Sequence, residues 1–155
     1  MQLSKKTDYA LRALMCLIEA DGRELLSIRE LSERNDIPKP FLEHILLDLK
    51  KNGWIESFPG KNGGYKLRKS AEEISIGEVV RHFDGMLAPI NCVSKSNYEP
   101  CSQEAKCRFR RVMLQVRNQT AYLMDKLTLA AVFQSAPVME HEFQREDLFF
   151  GGEGI

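Results

Sequence analysis

The apolar positions of the first fifty residues recur at helical spacing. Residues 4–20 form one amphipathic period that predicts a first helix, and Ser27 followed by Glu30 forms a capping box that predicts the start of a second. A third helix is predicted over residues 38–51. The N–H groups of a first helical turn have no intrahelical acceptor, so Pro38, which lacks an N–H, is well suited to that turn. Its predicted inner face consists of Phe41, Leu42, Ile45, Leu46 and Leu49.

Strand-forming residues follow the third helix and predict a hairpin. Residues 54–58 and 65–67 flank a loop at 59–64 that is rich in glycine and other turn formers, and Ser75 then begins another amphipathic helix. Two short helices joined by a tight turn and followed by a hairpin are typical of a winged helix-turn-helix. We therefore expect residues 1–84 to be a winged helix-turn-helix DNA-binding domain.

The rest of the chain lacks this regular pattern until a second periodic stretch. Residues 85–107 show no period and form a cysteine loop, whereas a long helix is predicted over residues 104–129. This helix carries an apolar seam, in which successive residues are alternately four and three positions apart. Such a seam suits pairing with another helix, so we expect a dimerisation region at 108–135. The predicted seam consists of Phe109, Met113, Val116, Thr120, Leu123 and Leu127. Residues 136–155 form an acidic, peripheral C-terminal tail. The predicted fold is mainly α with a small β-hairpin wing, a winged helix-turn-helix plus a long dimerisation helix.

Composition and charge are compatible with a DNA-binding protein. Hydrophobic residues make up 43% of the 155 positions, which is enough for a packed core, and the net charge is zero. Residues 1–70 nevertheless hold 13 Lys/Arg against 10 Asp/Glu, and residues 71–155 hold 9 against 12. This asymmetry favours a basic DNA-contacting half. The sequence shows neither a signal peptide nor a membrane-spanning run, so we expect a cytoplasmic protein.

The start of the third helix supplies the candidate base-reading residues, because side chains near that point reach the major groove. Lys39 is suited to phosphate or guanine, Glu43 to the amino group of cytosine, and His44 to either task. The glycines of the wing allow its backbone to approach phosphates or a minor groove closely. The complete set of candidate DNA contacts is Arg29, Lys39, Pro40, Glu43, His44, Lys51, Lys61, Asn62 and Lys66.

Three of the four cysteines lie in the aperiodic loop. Cys92, Cys101 and Cys107 are separated by eight and five residues, a spacing that lacks the tight pairs usual for zinc. Three thiolates on one loop are suited to a soft metal centre such as an iron–sulfur cluster. On spacing alone zinc, free thiols and a switchable disulfide stay open. Cys16 lies within the first helix and is interpreted as a small buried hydrophobic residue.

Several local motifs resemble those of a known family. They are the hexapeptide at 7–12, Leu42-Glu43 in the third helix, the glycine-rich wing at 60–65, the pentapeptide at 76–80 and the three cysteines before a long helix. Over residues 3–129 the chain resembles the iron–sulfur winged-helix transcription regulators that include the cluster regulator IscR, the nitric-oxide sensor NsrR and the iron-responsive repressor RirA.

The resemblance implies a homodimer with paired long helices, in which each cluster lies near the DNA-binding domain of the partner. It also implies three cysteine ligands, Cys92, Cys101 and Cys107, and a variable fourth. One branch places a histidine three residues after the last cysteine, where this chain has Arg110. Another branch uses an N-terminal aspartate of the partner subunit, and Asp8 stands at that position. The resemblance therefore favours a four-iron over a two-iron cluster, although the eight-residue gap exceeds the family's usual spacing.

The function expected from these features is a sequence-specific transcription regulator, acting as a repressor on a palindromic operator in double-stranded DNA. It would sense iron, nitric oxide or redox state through the iron–sulfur cluster. A change in the cysteine loop would alter the spacing on the operator between the two third helices, one from each subunit. The alternatives are a cluster-free thiol or disulfide regulator and a regulator controlled by a protein partner. An enzyme is not expected, because no phosphate loop or nucleophile–base pair is visible and His44, His82 and His141 lie in separate segments.

Overall fold

The computed structural model describes residues 2–21, 23–139 and 141. Among these described residues, six helices and one hairpin follow one another, with single 3₁₀ turns before α4 and before α5. The helices are α1 (Lys5–Ala20), α2 (Ile28–Asn35), α3 (Lys39–Lys51), α4 (Ile76–Asp84), α5 (Arg110–Lys126) and α6 (Leu129–Gln134). The strands are β1 (Ile55–Phe58) and β2 (Gly64–Leu67), and the 3₁₀ turns are Ala71–Glu73 and Asn91–Val93. The mainly helical fold with a β-hairpin is confirmed.

Serine caps begin three of the helices, and those at Ser27 and Ser75 lie at the predicted positions. The Ser4 side chain accepts a hydrogen bond from the Thr7 N–H at the start of α1, which identifies Ser4 as the cap. Ser27 forms the predicted capping box with Glu30, and Ser75 forms a second one with Glu78. Local sequence therefore fixes where α1, α2 and α4 start.

The core of the N-terminal half packs around α1. Leu14 and Leu17 of α1 lie fully buried against Leu46 and Leu49 of α3 within one hydrophobic cluster. Cys16 belongs to the same cluster and is 7% exposed, which confirms its interpretation as a buried hydrophobic residue. The prediction for Phe41 was wrong. Phe41 is 61% exposed, because Leu42, Ile45, Leu46 and Leu49 already supply an apolar stripe wide enough to cover the core.

The hairpin packs tightly on the chain segment before α2. β1 and β2 pair antiparallel with Ile55 opposite Leu67, and Tyr65 exchanges two backbone hydrogen bonds with Leu26. A Cβ at Gly64 would lie 2.7 Å from the backbone of Leu26, so only glycine permits this approach. The wing is therefore anchored at its base to the helix-turn-helix.

The long helix is shorter than predicted at both ends. The prediction of one helix over 104–129 was wrong, because residues 102–106 form turns and α5 begins only at Arg110. Its other end is set by Leu127, whose backbone is extended and whose carbonyl accepts the Ile76 N–H at 2.9 Å. Phe109 is thus the N-cap of α5 and Leu127 its C-cap, so the two outer seam positions lie just beyond the helix.

The last features of the fold concern ring packing at the end of α4 and the C-terminal tail. His82 packs edge-on against Phe83 with ring centroids 4.8 Å apart. The acidic tail predicted over 136–155 lies mostly outside the described residues. No helix in the described part of the chain combines the length and apolar character that crossing a membrane requires.

Candidate nucleic-acid interface and cysteine loop

The start of α3 presents a nearly complete ring of exposed side chains. Of residues 39–44 only Leu42 is buried, because it points into the core beneath the helix. Lys39, Pro40, Glu43 and His44 are all exposed within this stretch. The structure therefore brings these four predicted contacts onto the first two turns of the second helix of the helix-turn-helix, where a major groove would be reached.

The wing places its predicted contacts in two different settings. Lys61 and Asn62 are exposed in the turn between β1 and β2. Lys66 lies on β2, where its ammonium group is 3.2 Å from the Glu56 carboxylate and 5.0 Å from the centroid of the Phe58 ring. Lys66 is therefore held against its own hairpin, whereas the loop residues are available to a ligand.

Arg29 and Lys51 do not join the other predicted contacts at the start of α3. Arg29 lies on α2 and pairs with Glu33 at 2.8 Å, and the Glu33 hydrogen bond raises the already high pKa of Arg29. Lys51 is the last residue of α3, about 18 Å along the helix axis from Lys39 at a rise of 1.5 Å per residue. Both are exposed, so each could reach DNA only at its own point on the surface.

The sequence interpretation missed Phe41, which lies among the exposed residues at the start of α3. Its ring makes an edge-on contact with Tyr9 of α1, with centroids 6.5 Å apart and an interplanar angle of 76°. Helical spacing alone could not separate Phe41 from the core, because it borders the apolar stripe. The sequence alone carries no signal that identifies it, because the packing of neighbouring helices decides which residues at the edge of a stripe are buried.

Asp8 is connected to the turn of the helix-turn-helix through one arginine. Arg12 donates from Nη2 to the Asp8 carboxylate at 2.9 Å and from Nη1 to the Asn35 carbonyl at 2.8 Å. Its guanidinium also lies 4.9 Å from the centroid of the Tyr9 ring. Asp8 is half exposed, so its remaining surface is free to meet another group. The structure thus links Asp8 to the end of α2 within one subunit.

The cysteine loop lines an open cavity of about 970 Å³ at the N-terminal end of α5. Cys92 and Cys107 both lie on its wall, whereas Cys101 is exposed and is not among the lining residues. The lining is strongly basic, with Glu104 as its acidic member. The basic residues that line it are Lys95, Lys106, Arg108, Arg110, Arg111 and Arg117. This surface favours an anionic occupant.

Arg110 and Glu104 hold this loop together. Arg110 donates to the Cys92 carbonyl at 2.9 Å and lies 3.3 Å from the Glu104 carboxylate. The same carboxylate accepts the Cys101 N–H at 3.2 Å and the Tyr98 hydroxyl at 3.0 Å, and this hydroxyl hydrogen bond raises the pKa of Tyr98. Both Cys92 and Cys101 are therefore tethered through their backbones, which leaves their thiols unconstrained by these bonds.

The donor chemistry of the loop suits a thiolate-ligated metal centre, although the ligands are not assembled. Within the described residues, no three His, Cys, Asp or Glu side chains are grouped closely enough to hold a metal ion. The four cysteines are free thiols. Arg117 lines the cavity, and its buried Nε has no hydrogen-bond partner among the described groups. A buried cationic donor without a partner is costly, and an anionic centre beside it would relieve that cost.

Helix α5 exposes the predicted seam. None of its residues, all of which are described, is buried. Leu123 is 59% and Val116 43% exposed, and Phe109 just before the helix is 64% exposed, whereas Met113 and Thr120 are partly buried. Asp125 forms an ion pair with Arg81 of α4, which fastens the far end of α5 to the N-terminal half. An apolar face of this size on one chain favours coverage by another protein surface.

Comparisons with known proteins agree with this architecture. A family model described as "Rrf2: Iron-dependent Transcriptional regulator" matches residues 3–135. An Rrf2-like HTH-type transcriptional regulator of Rhodobacter capsulatus is 44% identical over 133 residues, covering 82% of this chain and 89% of its own length. The HTH-type transcriptional regulator NsrR of Geobacillus kaustophilus is 34% identical over 134 residues, covering 86% of this chain and 90% of its own length.

Two solved structures have a similar fold. The global cysteine regulator CymR of B. subtilis superposes with a TM-score of 0.76 at 22% identity, covering 88% of this chain and 99% of that one. IscR of T. potens superposes with a TM-score of 0.68 at 22% identity, covering 89% and 94%. At this identity they show the winged-helix fold alone. The named curated relatives are transcription regulators rather than enzymes.

Proposed function

The chain belongs to the Rrf2 family of iron-dependent transcriptional regulators and is a DNA-binding regulator, and on that premise we propose that it is a homodimeric repressor controlled by an iron–sulfur cluster in the cysteine loop. The observation that carries the proposal is the cavity beside α5. Two thiols and a strongly basic wall meet there, next to an arginine Nε without a partner.

The proposed DNA interface is formed by the start of α3 and the wing loop. Lys39 and Lys61 are exposed cations suited to phosphates, and Glu43 and His44 are exposed polar groups suited to base edges. Pro40, Asn62 and Lys66 lie beside them, whereas Arg29 and Lys51 would contact the backbone at the margins. A dimer would present two such surfaces to the two halves of a palindromic operator.

The proposed cluster ligands are Cys92, Cys101 and Cys107, with the partner subunit's Asp8 as the fourth. Three thiolates and one carboxylate are suited to a four-iron centre, which when bound supplies a reactive, redox-active group sensitive to iron supply, oxygen or nitric oxide. Arg110 cannot serve as a ligand, because a guanidinium is protonated and has no acceptor. Its bond to the Cys92 carbonyl instead makes it a positioning residue for the loop.

The proposed coupling to DNA runs through Arg12. When Asp8 is engaged across the dimer, its bond to Arg12 is weakened or redirected. Arg12 also holds the Asn35 carbonyl at the end of α2, so a change at Asp8 alters the support of the turn before α3. A switch of this kind needs two states in which the loop and this turn differ, each with its own operator affinity.

The proposed homodimer places the exposed face of α5 against that of a second copy. Phe109, Val116 and Leu123 would be covered, and Met113, Thr120 and Leu127 would complete the seam. Covering these side chains removes a large apolar surface from water, which is the main favourable term in such association.

The test is an operator titration with two forms of the full chain. Protein purified without oxygen is divided into a cluster-loaded portion and a portion stripped by a chelator, and both are titrated with duplexes selected from a random-sequence pool. We expect visible absorbance in the loaded form and at least a tenfold difference in affinity, about 1.4 kcal/mol. Equal affinities would reject the switch. A colourless protein whose affinity responds to thiol oxidation would favour a disulfide regulator using Cys92 and Cys107 instead.

A further inference from the structure

We propose that Phe41 is a specificity-determining residue, which recognises the methyl group of a thymine in the operator. The inference rests on the proposed DNA interface and adds one aromatic contact to it. Phe41 lies one residue from Pro40 and three from His44, so its ring belongs to the surface formed by the first two turns of α3.

The fold of one chain leaves Phe41 largely uncovered, with the Tyr9 ring as its aromatic neighbour. Its side chain is 61% exposed, whereas the other apolar residues of the same turns, Leu42, Ile45 and Leu46, are at most 1% exposed. Seven of the exposed large apolar residues fall on or beside α5, between positions 109 and 127, where a second copy is proposed. Phe41 lies in the DNA-binding half, so the covering of that face does not account for it.

Its surroundings point to DNA as the group that covers it. Lys39 precedes it on the same exposed turn, and Glu43 and His44 follow it. The major-groove edge of an A·T pair offers one apolar group, the C5-methyl of thymine, and a phenyl ring is among the side chains that contact it. A protein with only charged and polar groups here would read hydrogen bonds but would not detect that methyl.

The ring already packs against Tyr9 before DNA arrives. Tyr9 contacts it edge-on at 6.5 Å and is itself partly buried against the core, with the Arg12 guanidinium 4.9 Å from its centroid. An aromatic side chain that is already restrained loses little conformational freedom on binding. The contact therefore contributes to discrimination with a small entropic cost.

The experiment removes the methyl group and the ring separately. The full chain first selects duplexes from a random-sequence pool, and each thymine of the best duplex is then replaced in both half-sites by deoxyuridine, which lacks only the methyl. Binding is measured for the unmodified protein and for Phe41→Ala. The matched control is Leu47→Ala, which removes another apolar side chain of α3 that is 63% exposed but lies about 9 Å further along the helix.

We expect one thymine position at which loss of the methyl weakens binding about three- to fivefold. The same replacement should change binding of Phe41→Ala less than about 1.5-fold, while Leu47→Ala keeps the full dependence. Because Phe41 is exposed, the thermal unfolding of the Ala variant should match that of the unmodified protein.

Two results would overturn the inference while leaving the DNA interface intact: no thymine shows methyl dependence, or Phe41→Ala retains it. Failure to enrich any duplex, with either the loaded or the stripped protein, would reject the proposed function itself together with this extension of it.

Discussion

The two halves of the chain differ in how complete they are within one subunit. The described residues between positions 5 and 84 form a packed unit, in which α1 is buried on one face, serine caps begin three helices and the hairpin is anchored to Leu26. Residues 85–126 contain an aperiodic loop and a helix without a buried residue. The first half buries most of its apolar side chains and leaves Phe41 and Leu47 as separate exposed ones, whereas the second exposes Phe109, Val116 and Leu123 along one helix.

The difference suggests a division of labour. A self-sufficient half can present the same reading surface in every state, which suits DNA recognition. The second half has an apolar face and thiols without partners in the chain, so it gains structure when another molecule binds it. Elements of low intrinsic stability are the ones that switch between states. Substitutions in either half test this division, and the largest effect is expected at the seam of α5.

Breaking the seam should abolish tight operator binding. In the double variant Val116→Glu/Leu123→Glu, charges at two seam positions disfavour burial, so we expect monomers by analytical ultracentrifugation. Operator affinity should fall at least ~100-fold, because the second half-site contact becomes intermolecular. The control Asn118→Glu adds a charge to an exposed position on the opposite face of α5 and should remain dimeric. Dimers of the double variant would show that the second half does not depend on this face.

Replacing a cysteine should cost bound iron in the second half and folding stability in the first. Cys107→Ser should lose bound iron and sulfide, while the unfolding free energy of the metal-free protein changes by less than ~0.5 kcal/mol, because the residue lies outside the core. Cys16→Ser should keep iron but lose about 1–3 kcal/mol, since a hydroxyl is then placed in an apolar core. Iron analysis and denaturant unfolding measure both. Iron loss in Cys16→Ser at full stability would contradict the division.

Arg12 should carry the communication between the halves. Arg12→Met keeps an unbranched apolar stem but removes the bonds to Asp8 and to the Asn35 carbonyl. We expect the ratio of operator affinities between loaded and stripped protein to shrink about five- to tenfold. A change of this size corresponds to a typical coupling energy. Arg34→Met, which removes an ion pair with Glu24 outside this path, should leave the ratio unchanged. An unaltered ratio in Arg12→Met would mean that coupling follows another route.

The smallest effect concerns acid stability of the first half. Lys6 of α1 pairs with Asp48 of α3 at 2.6 Å, and its hydrogen bond lowers the pKa of Asp48 below the ordinary value of 3.8. The folded state thus holds the carboxylate more strongly than the unfolded chain does. The contribution is full above about pH 4 and is lost as pH falls through the lowered pKa.

Lys6→Met should therefore reduce the unfolding free energy by at most ~1 kcal/mol at pH 7, since both groups are more than a third exposed. The deficit should fade below about pH 4 in acid titrations followed by circular dichroism. Lys5→Met is the control, since the described residues provide no ion pair for Lys5. A deficit that grows on acidification would reverse the assigned sign.

The sequence was most informative where structure is local. Caps at Ser27 and Ser75, the turn before α3 and the hairpin follow from short-range hydrogen bonding and turn chemistry, so they could be predicted. The start of α5 could not, because it depends on Glu104 binding the Cys101 N–H and Arg110, and these contacts form only when the loop is folded. Phe41 was misplaced for a similar reason, since burial at the edge of a stripe is decided by neighbouring helices.

The candidate sites divide in the same way. The reading residues at 39–44 could be predicted because helix geometry fixes which side chains face outward. The basic wall of the cysteine cavity escaped notice, although the run from Lys106 to Arg111 is visible in the sequence, because the acidic residues after position 136 masked it in the overall charge. Convergence of three thiols depends on long-range placement, which spacing does not determine.

Amide hydrogen exchange of the loaded and stripped dimers tests the division most directly. We predict that protection of residues 85–126 falls by at least about tenfold on loss of the cluster. Within residues 5–84 the change should be confined to the start of α1 and the turn after α2, around Asp8 and Asn35. A uniform loss of protection across both halves, or none in the loop and α5, would contradict the account.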